Sequence, residues 1–469
     1  MQSELRAWGR EEFGFADLGD DRLVRRAVRM AAAAAARPGA RVLDVFRTSA
    51  ERQGAYDFLE NSRVDAGCLA ASMFAATALR CSGESYVFIP TDGSSVSLVD
   101  HRRSKDFGAV GSTKQRGRGI KVINALAVSE AGVPLGLLSQ RWWTRAARKK
   151  RSDCHQRALH EKETQHWVDA IRESCAMLQT HAPGACPWVV LDREGDKRHL
   201  LELLDGLADA EWTVRSSYNR RLSKALGDQY LLDALRPLAP LATYELRVLR
   251  GGNRTPRTAL LDLRATEVTL RLRDRKTQKL SGQRLFVVEA LERNPPKGQA
   301  PLAWRLLTSH RVETAEDAML VVWSYVQRWR VEDFHKTWKS GACNVEGSQL
   351  RRKAHALKWC TLMAAVAARI ERIKVLSREQ PDLPASHELK PYEIRALILM
   401  KREHKKRTET IPDSMPTLAQ ATLWLAELGG YTGKSSGGPP GSITIRRGLD
   451  FIKPAAIAIQ ALEKAGKLR

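Results

Sequence analysis

The chain has 469 residues, with 77 Lys+Arg against 53 Asp+Glu, a formal net charge of +24 and 43% hydrophobic residues. At roughly 100–200 residues per domain that is room for two to four domains, and the apolar content excludes wholesale disorder. No stretch approaches the ~18 uninterrupted apolar residues of a membrane span. The opening MQSELRAWGREEFGF lacks the basic and apolar regions of a secretory leader. We therefore expect a cytoplasmic protein with no membrane partner.

Residues 1–70 read as helical. Asp17-Leu18-Gly19-Asp20 supplies cap residues before DRLVRRAVRMAAAAAAR, and Pro38-Gly39 ends that helix. A second helix is predicted over SAERQGAYDFLEN, closing at Asn61. From Tyr86 the texture changes to apolar β-type runs: residues 86–90 and 95–99 around a turn at Thr91-Asp92-Gly93, then 121–128 and 133–143 around Glu130-Ala131-Gly132. A charged helix over about 153–180 leads to the strand WVVL (188–191), a helix near 197–208 and a short strand at 211–217. Residues 225–310 alternate with period 2 in YELRVL, TALLDL, EVTLRLR, RLFVVEAL and AWRLLTS, predicting an antiparallel β insertion. One long helix is expected over 313–340 with Thr314 as N-cap, and helices again from about 355, interrupted by KREHKKR (401–407) and the linker GKSSGGPPGS (433–442).

Three strands, a helix, a strand, a helix, a strand, an insertion and a long helix form an order that resembles a ribonuclease-H-like α/β fold. The expected organisation is a helical domain 1–70, an α/β catalytic domain 71–372 containing the insertion at about 225–310, and a helical domain 373–469.

The positive charge is concentrated. It nets zero over 1–70, +18 over 71–372 and +6 over 373–469, with clusters at KQRGRGIK (114–121), RAARKKR (145–151) and RRK (351–353). Such a footprint suits a polyanion, because each neutralised phosphate releases condensed counterions. The seven cysteines are odd in number and form no C-x-x-C pair, and no H-E-x-x-H occurs, so reduced thiols are expected rather than a disulfide scaffold or zinc site.

Two acids, Asp92 and Asp192, follow apolar strands. Ligands collect at strand C-termini in open α/β sheets, so the two are candidates for a shared metal site, although a lone Asp there is more often a turn or cap residue. Tyr325, Arg328, Glu332 and Lys339 stand at i, i+3, i+7 and i+14 of the last long helix, with Trp329 and Lys336 beside them. At about 100° per residue they share an arc of ~60°. A solvated face with a Glu332–Lys336 pair accounts for the charges. A face that binds phosphate and stacks bases also accounts for the aromatics.

The segment YVQRWRVEDFHKTWKSGA (325–342) resembles the Y-x2-R-x3-E-x6-K signature of the insertion-sequence-four family of bacterial cut-and-paste transposases with an Asp-Asp-Glu site. Supporting segments are DLGDDRLVRR, RQGAYDFLEN, LDREGD, NPPKG with AWRLLTS, and LAELGG. The resemblance implies a DNA transposase whose catalytic, metal-binding residues are Asp92, Asp192 and Glu332, holding two Mg²⁺ ions with Mn²⁺ as a substitute. It implies DNA contacts by Tyr325, Arg328, Lys336 and Lys339. Trp304 would receive a flipped base, and Arg215 and Arg26 would contact DNA. Without the resemblance Trp304 is equally a buried sheet residue and Arg26 a surface helix residue. The implied partners are double-stranded DNA with inverted-repeat ends, target DNA and a second copy of the chain, in a bacterial, nucleoid-associated setting. A structure-specific nuclease and a catalytically inactive DNA-binding regulator are the alternatives.

Overall fold

Cap residues set the first helices. The computed structural model describes residues 4–39, 41–100, 104–111, 117–145, 159–223, 229–248, 255–274, 277–405, 407–433 and 438–465. In chain order these form α1 (Glu4–Phe13), α2 (Asp21–Ala36), α3 (Val42–Val45), α4 (Ser49–Glu60) and α5 (Ala66–Arg80). Strands β1 (Tyr86–Ser97), β2 (Gly108–Val110), β3 (Gly117–Val128) and β4 (Pro134–Trp143) follow. Next come α6 (Thr164–His181), β5 (Cys186–Leu191), α7 (Arg198–Asp205), β6 (Glu211–Arg215) and α8 (Leu231–Leu235). Strands β7 (Ala242–Val248), β8 (Arg257–Arg273), β9 (Leu280–Glu292) and β10 (Ala303–Thr308) precede α9 (Ala315–Val326), α10 (Trp329–Lys339) and α11 (Lys353–Glu379). The chain finishes with α12 (Pro391–Glu403), α13 (Leu418–Leu428) and α14 (Ser442–Lys464). Asp20 accepts the Arg22 N–H at 2.7 Å to open α2, and Thr48 with Glu51 forms a capping box on α4, which closes at Asn61 as expected.

The chain divides into two units. One comprises Met1–Ser82, Gly93–Ala147 and Val331–Arg469; the other comprises Gly83–Asp92 and Arg148–Arg330. Strand β1 contributes to both. The boundaries expected at 70/71 and 372/373 fall inside α5 and α11, which run through them unbroken.

In the first unit, α11 is buried on nearly every face from Ala356 to Leu376, the pattern of a helix enclosed by others rather than laid on a surface. Helices α2, α4 and α5 and strand β4 pack on it. Strands β3 and β4 form an antiparallel hairpin closed at Ser129–Gly132, as predicted. Gly119 of β3 lies against β1: a Cβ there would fall 2.0 Å from the Val96 carbonyl oxygen, so only glycine permits this approach. Helices α12, α13 and α14 share a separate core around Leu397, Trp424, Leu425, Ile445 and Ile452.

The second unit carries a large mixed sheet in the order β1-β5-β6-β10-β9-β8-β7, parallel across β1, β5 and β6 and antiparallel beyond. Helix α9 is tied to it through Ser324, whose hydroxyl bonds Thr213 of β6 at 3.0 Å.

Three expectations need correction. Thr91-Asp92-Gly93 is no turn: β1 runs through it, because its first half pairs with β5 and its second half lies beside β3. TALLDL and EVTLRLR are one strand, β8, held straight by continuous pairing with β9, and AWRLLTS is an inner strand bonded to β6 rather than insertion alone. The helix over 313–340 is two helices. At residues 327–330 the ladder switches to i→i−3 bonds, Gln327 N–H to Ser324, Arg328 N–H to Tyr325 and Arg330 N–H to Gln327, while the Gln327 side chain also claims the Trp323 carbonyl. The arc drawn through Tyr325, Arg328, Glu332 and Lys339 assumed one unbroken helix, whereas α9 ends at Val326 and α10 begins at Trp329. The basic clusters 114–121 and 145–151, residue 406 of KREHKKR, residues 434–437 of the linker and Cys154 lie wholly or partly outside the described residues. The remaining six cysteines are free thiols.

Candidate active site and nucleic-acid surface

Two carboxylates follow a stretch of parallel strand pairing. Strand β1 pairs with β5 in parallel, residue for residue, from Tyr86↔Cys186 to Pro90↔Val190. Asp92 and Asp192 each follow the last of these pairs by two residues, Asp92 within β1 and Asp192 just past the end of β5. Neighbouring strands lie about 4.8 Å apart, so carboxylates at one level of adjacent parallel strands can share a cation. Both are half-buried. Beyond Leu191 the chain turns sharply: the Asp192 Oδ1 accepts the Glu194 N–H at 2.7 Å, and Gly195 sits so tightly on Leu191 that a Cβ would come within 2.4 Å of its Cβ. The donors are oxygens only, the chemistry that suits a hard divalent ion such as Mg²⁺.

Around these acids the same unit gathers four more residues singled out from the sequence. Tyr325, at the end of α9, is 2% exposed, and its ring meets that of Trp304 edge-on with centroids 5.1 Å apart. The Arg215 side chain hydrogen-bonds to Tyr325 and donates to the Ala303 carbonyl at 3.3 Å. Burial pushes the Tyr325 hydroxyl above its ordinary pKa; Arg215 and Arg328 pull against that shift, and the Asp192 charge adds to it. The Tyr325 hydroxyl thus feels the charges of Arg215, Arg328 and Asp192, while its ring packs on Trp304. Trp304 is only 6% exposed, the buried sheet residue of its alternative reading, and its ring offers no open face for a base. Trp329, by contrast, is 51% accessible, with the Arg328 guanidinium 4.6 Å from its ring centroid.

Glu332 lies in the other unit, half-buried on the first turn of α10. Lys336 is exposed, and Lys339 pairs with Glu346 at 3.6 Å, whose carboxylate also accepts the Ser97 N–H. Among the described residues, no group of three or more His, Cys, Asp or Glu side chains is gathered to hold a metal ion.

The N-terminal helices carry charge in a different form. Although 1–70 is neutral overall, Arg6, Arg25, Arg26 and Arg29 come together on α1 and α2. Burial chiefly, then the charges of Arg26, Arg6 and Arg25, push the Arg29 pKa down. The Arg26 guanidinium rests against Gly54 of α4, where a Cβ would come within 2.6 Å of Nη1. Such a group of arginines is a local concentration of positive charge, suited to phosphate, that a domain-wide charge count hides.

Sequence reasoning missed Asp196, the second aspartate of LDREGD. It is buried and accepts from Arg220 at 2.7 Å, from the Ser217 N–H at 2.7 Å and from the Ser216 hydroxyl at 3.2 Å, fixing the loop that follows Arg215. Its spacing of four from Asp192 was the available signal.

No helix among the described residues is long and apolar enough to cross a membrane. Two family models match the chain: Transposase DNA-binding over residues 5–64, which spans α2 to α4 and nearly all of α1, and Transposase Tn5 dimerisation domain over residues 365–461, from within α11 into α14. These matches support a Tn5-like DNA transposase, a DNA-processing enzyme with a DNA-binding and a dimerisation domain.

Proposed function

We propose that the protein is a cut-and-paste transposase of the insertion-sequence-four family, close in kind to the transposase of the kanamycin-resistance composite transposon number five. One observation carries this reading: parallel β1–β5 pairing runs to within two residues of Asp92 and Asp192, and the Asp192 charge acts on the same Tyr325 hydroxyl as Arg215 and Arg328. The parallel pairing of β1, β5 and β6, with helices α6 and α7 between the strands in sequence, supports a ribonuclease-H-like core.

In this reading Asp92, Asp192 and Glu332 hold Mg²⁺, or Mn²⁺ in its place. When bound, such ions activate an attacking oxygen and stabilise a leaving one. The chain's own residues bind and orient. Arg215 and Arg328, set around the Tyr325 hydroxyl, hold a phosphate near the strand ends. Lys336 and Lys339 of the other unit also hold end phosphates, Lys339 exchanging Glu346 for one. Trp329 offers a stacking face, whereas Trp304 receives a base only if the Tyr325 ring moves aside. Arg26 and its neighbours read the inverted-repeat end. End nicking, hairpin formation, hairpin opening and strand transfer into target DNA are each in-line displacements at a phosphodiester, so one set of residues serves all four. The working form is a synaptic dimer acting on DNA in the bacterial nucleoid.

Purified protein should cleave DNA carrying its own element's ends when Mg²⁺ or Mn²⁺ is supplied. Glu332→Gln should abolish cleavage while end binding survives; undiminished cleavage by that variant refutes the assignment. Pre-cut ends with a target plasmid should yield joined products, and cut but never joined DNA would mean a nuclease. End binding should weaken with salt with a log–log slope of about −0.9 per phosphate contact.

A further inference from the structure

Helix α10 carries Glu332 and is only 11 residues long, too short to hold its own orientation in water. From Val331 onward it is fixed by its neighbours within one unit. Val331, Phe334 and Trp338 form a buried apolar stripe, and the Trp338 indole donates to the Cys360 carbonyl of α11 at 3.0 Å. Two polar connections cross from its other buried positions. Thr337 donates its hydroxyl to Glu371 of α11, which also pairs with Lys374, and Lys374 reaches Asp333 at 3.2 Å. On the other side His335, one turn after Glu332, meets Asn124 of β3 at 2.9 Å.

The second connection has a fixed direction. The Trp142 indole N–H can only donate, and it donates to the Gln140 Oε1 at 3.2 Å, which also accepts the Thr361 hydroxyl at 3.1 Å. Gln140 must therefore turn its Nε2 to Asn124, whose Oδ1 accepts at 3.0 Å. Asn124 is left with Nδ2 facing His335, so the imidazole Nε2 must accept. The accepting role of the His335 Nε2 is thereby set by an indole three side chains away. Asn124, Gln140, Thr361 and His335 are all buried, where leaving one of these groups unmatched is costly.

We propose that His335, through Asn124 and Gln140, is a positioning residue for Glu332: the directed chain sets the rotation of α10, and with it the direction in which that carboxylate presents its oxygens. This rests on the reading of Glu332 as a metal-holding acid. Removing the acceptor lets the helix roll about its apolar stripe without unfolding it, because the Trp338 and Thr337 connections remain. Partners standing behind a metal ligand typically matter 10- to 100-fold in metal affinity or activity.

The test compares His335→Leu, which deletes the acceptor, with His335→Gln, whose Oε1 can replace Nε2, and with Asn124→Ala, which breaks the chain without touching α10. His335→Leu and Asn124→Ala should cleave end DNA roughly 10- to 100-fold more slowly and need several-fold more Mg²⁺ for half-maximal rate. Their end-DNA affinity should stay within about twofold of the parent, since no phosphate contact is removed. Mn²⁺ binding to the DNA-free protein, followed by electron paramagnetic resonance, should weaken in parallel, and His335→Gln should restore both readouts. If His335→Leu fails to fold, Asn124→Ala decides the matter. Parent-like Mg²⁺ requirement and Mn²⁺ binding in a variant that only melts earlier would overturn the positioning role and leave a structural one. Parent-like cleavage by Glu332→Gln would instead overturn the functional reading beneath it.

Discussion

The two units hold their candidate acids by opposite means. In the sheet unit, Asp92 and Asp192 follow a stretch of β1–β5 backbone pairing that ends two residues before each of them. In the helical unit, Glu332 depends on α10, whose orientation is held by His335, Thr337, Trp338 and Asp333 through specific side-chain partners. Backbone register is indifferent to most substitutions. A side-chain network is not, so the helix-borne acid should be the more fragile of the two placements.

The largest effect that would sharpen this contrast is expected at Glu371. It is buried between Thr337 and Lys374, and Glu371→Leu leaves the Lys374 ammonium with Asp333 alone. Losing one partner of a buried ion pair costs about 3–5 kcal/mol, and Asp333 should keep the loss near the lower end, read as a fall in the urea midpoint. In the sheet unit the sensitive spot is backbone packing. Gly195→Ala forces a methyl against Leu191 and should cost about 1–3 kcal/mol while slowing cleavage through displacement of the Asp192 turn. A loss there exceeding that of Glu371→Leu would reverse the ranking of the two units.

A side-chain bond in the sheet unit provides the control. Ser324→Ala removes the α9 link to Thr213 and should cost about 1 kcal/mol, with the Mg²⁺ requirement for cleavage unchanged. A shift in that requirement would mean that the sheet unit also relies on side-chain wiring.

The smallest effect is electrostatic. Glu12, buried on α1 beside Arg80, has its pKa raised because burial outweighs the attraction of that arginine. A carboxyl raised in the folded state favours folding below its unfolded pKa, and that contribution is lost as pH rises through the folded value. Glu12→Gln, which mimics the neutral form, should therefore melt like the parent near pH 4 and gain relative to it by pH 7–8. A gain that shrinks with rising pH would show that the Arg80 pair dominates instead.

What the sequence disclosed divides along similar lines. Caps such as Asp20, Thr48 and Thr314 and the period-2 runs were legible because they act within a few residues. The strand status of Thr91-Asp92-Gly93 was not legible. Turn-forming residues there are overruled by partners on β5 and β3, nearly 100 residues away in one case. The break at Gln327–Arg328 carries no Pro or Gly to announce it, so a helical wheel drawn through 325–339 treated two helices as one. The identities of Tyr325, Arg328 and Arg215 could be picked out by motif. Their gathering around one hydroxyl beside Asp192 required the sheet. His335 and Asn124 were invisible for the same reason: a buried histidine and asparagine 211 positions apart share nothing that spacing can reveal.

The one-way polarity of the Trp142–Gln140–Asn124–His335 chain has a consequence for how these positions can change over time. No member can be exchanged for a residue of opposite donor–acceptor sense unless its neighbour reverses too, so intermediates with a single exchange carry two acceptors or two donors face to face. Descendants of this gene should therefore keep the quartet intact or replace it wholesale with apolar side chains, and mixed versions should be rare among functional copies.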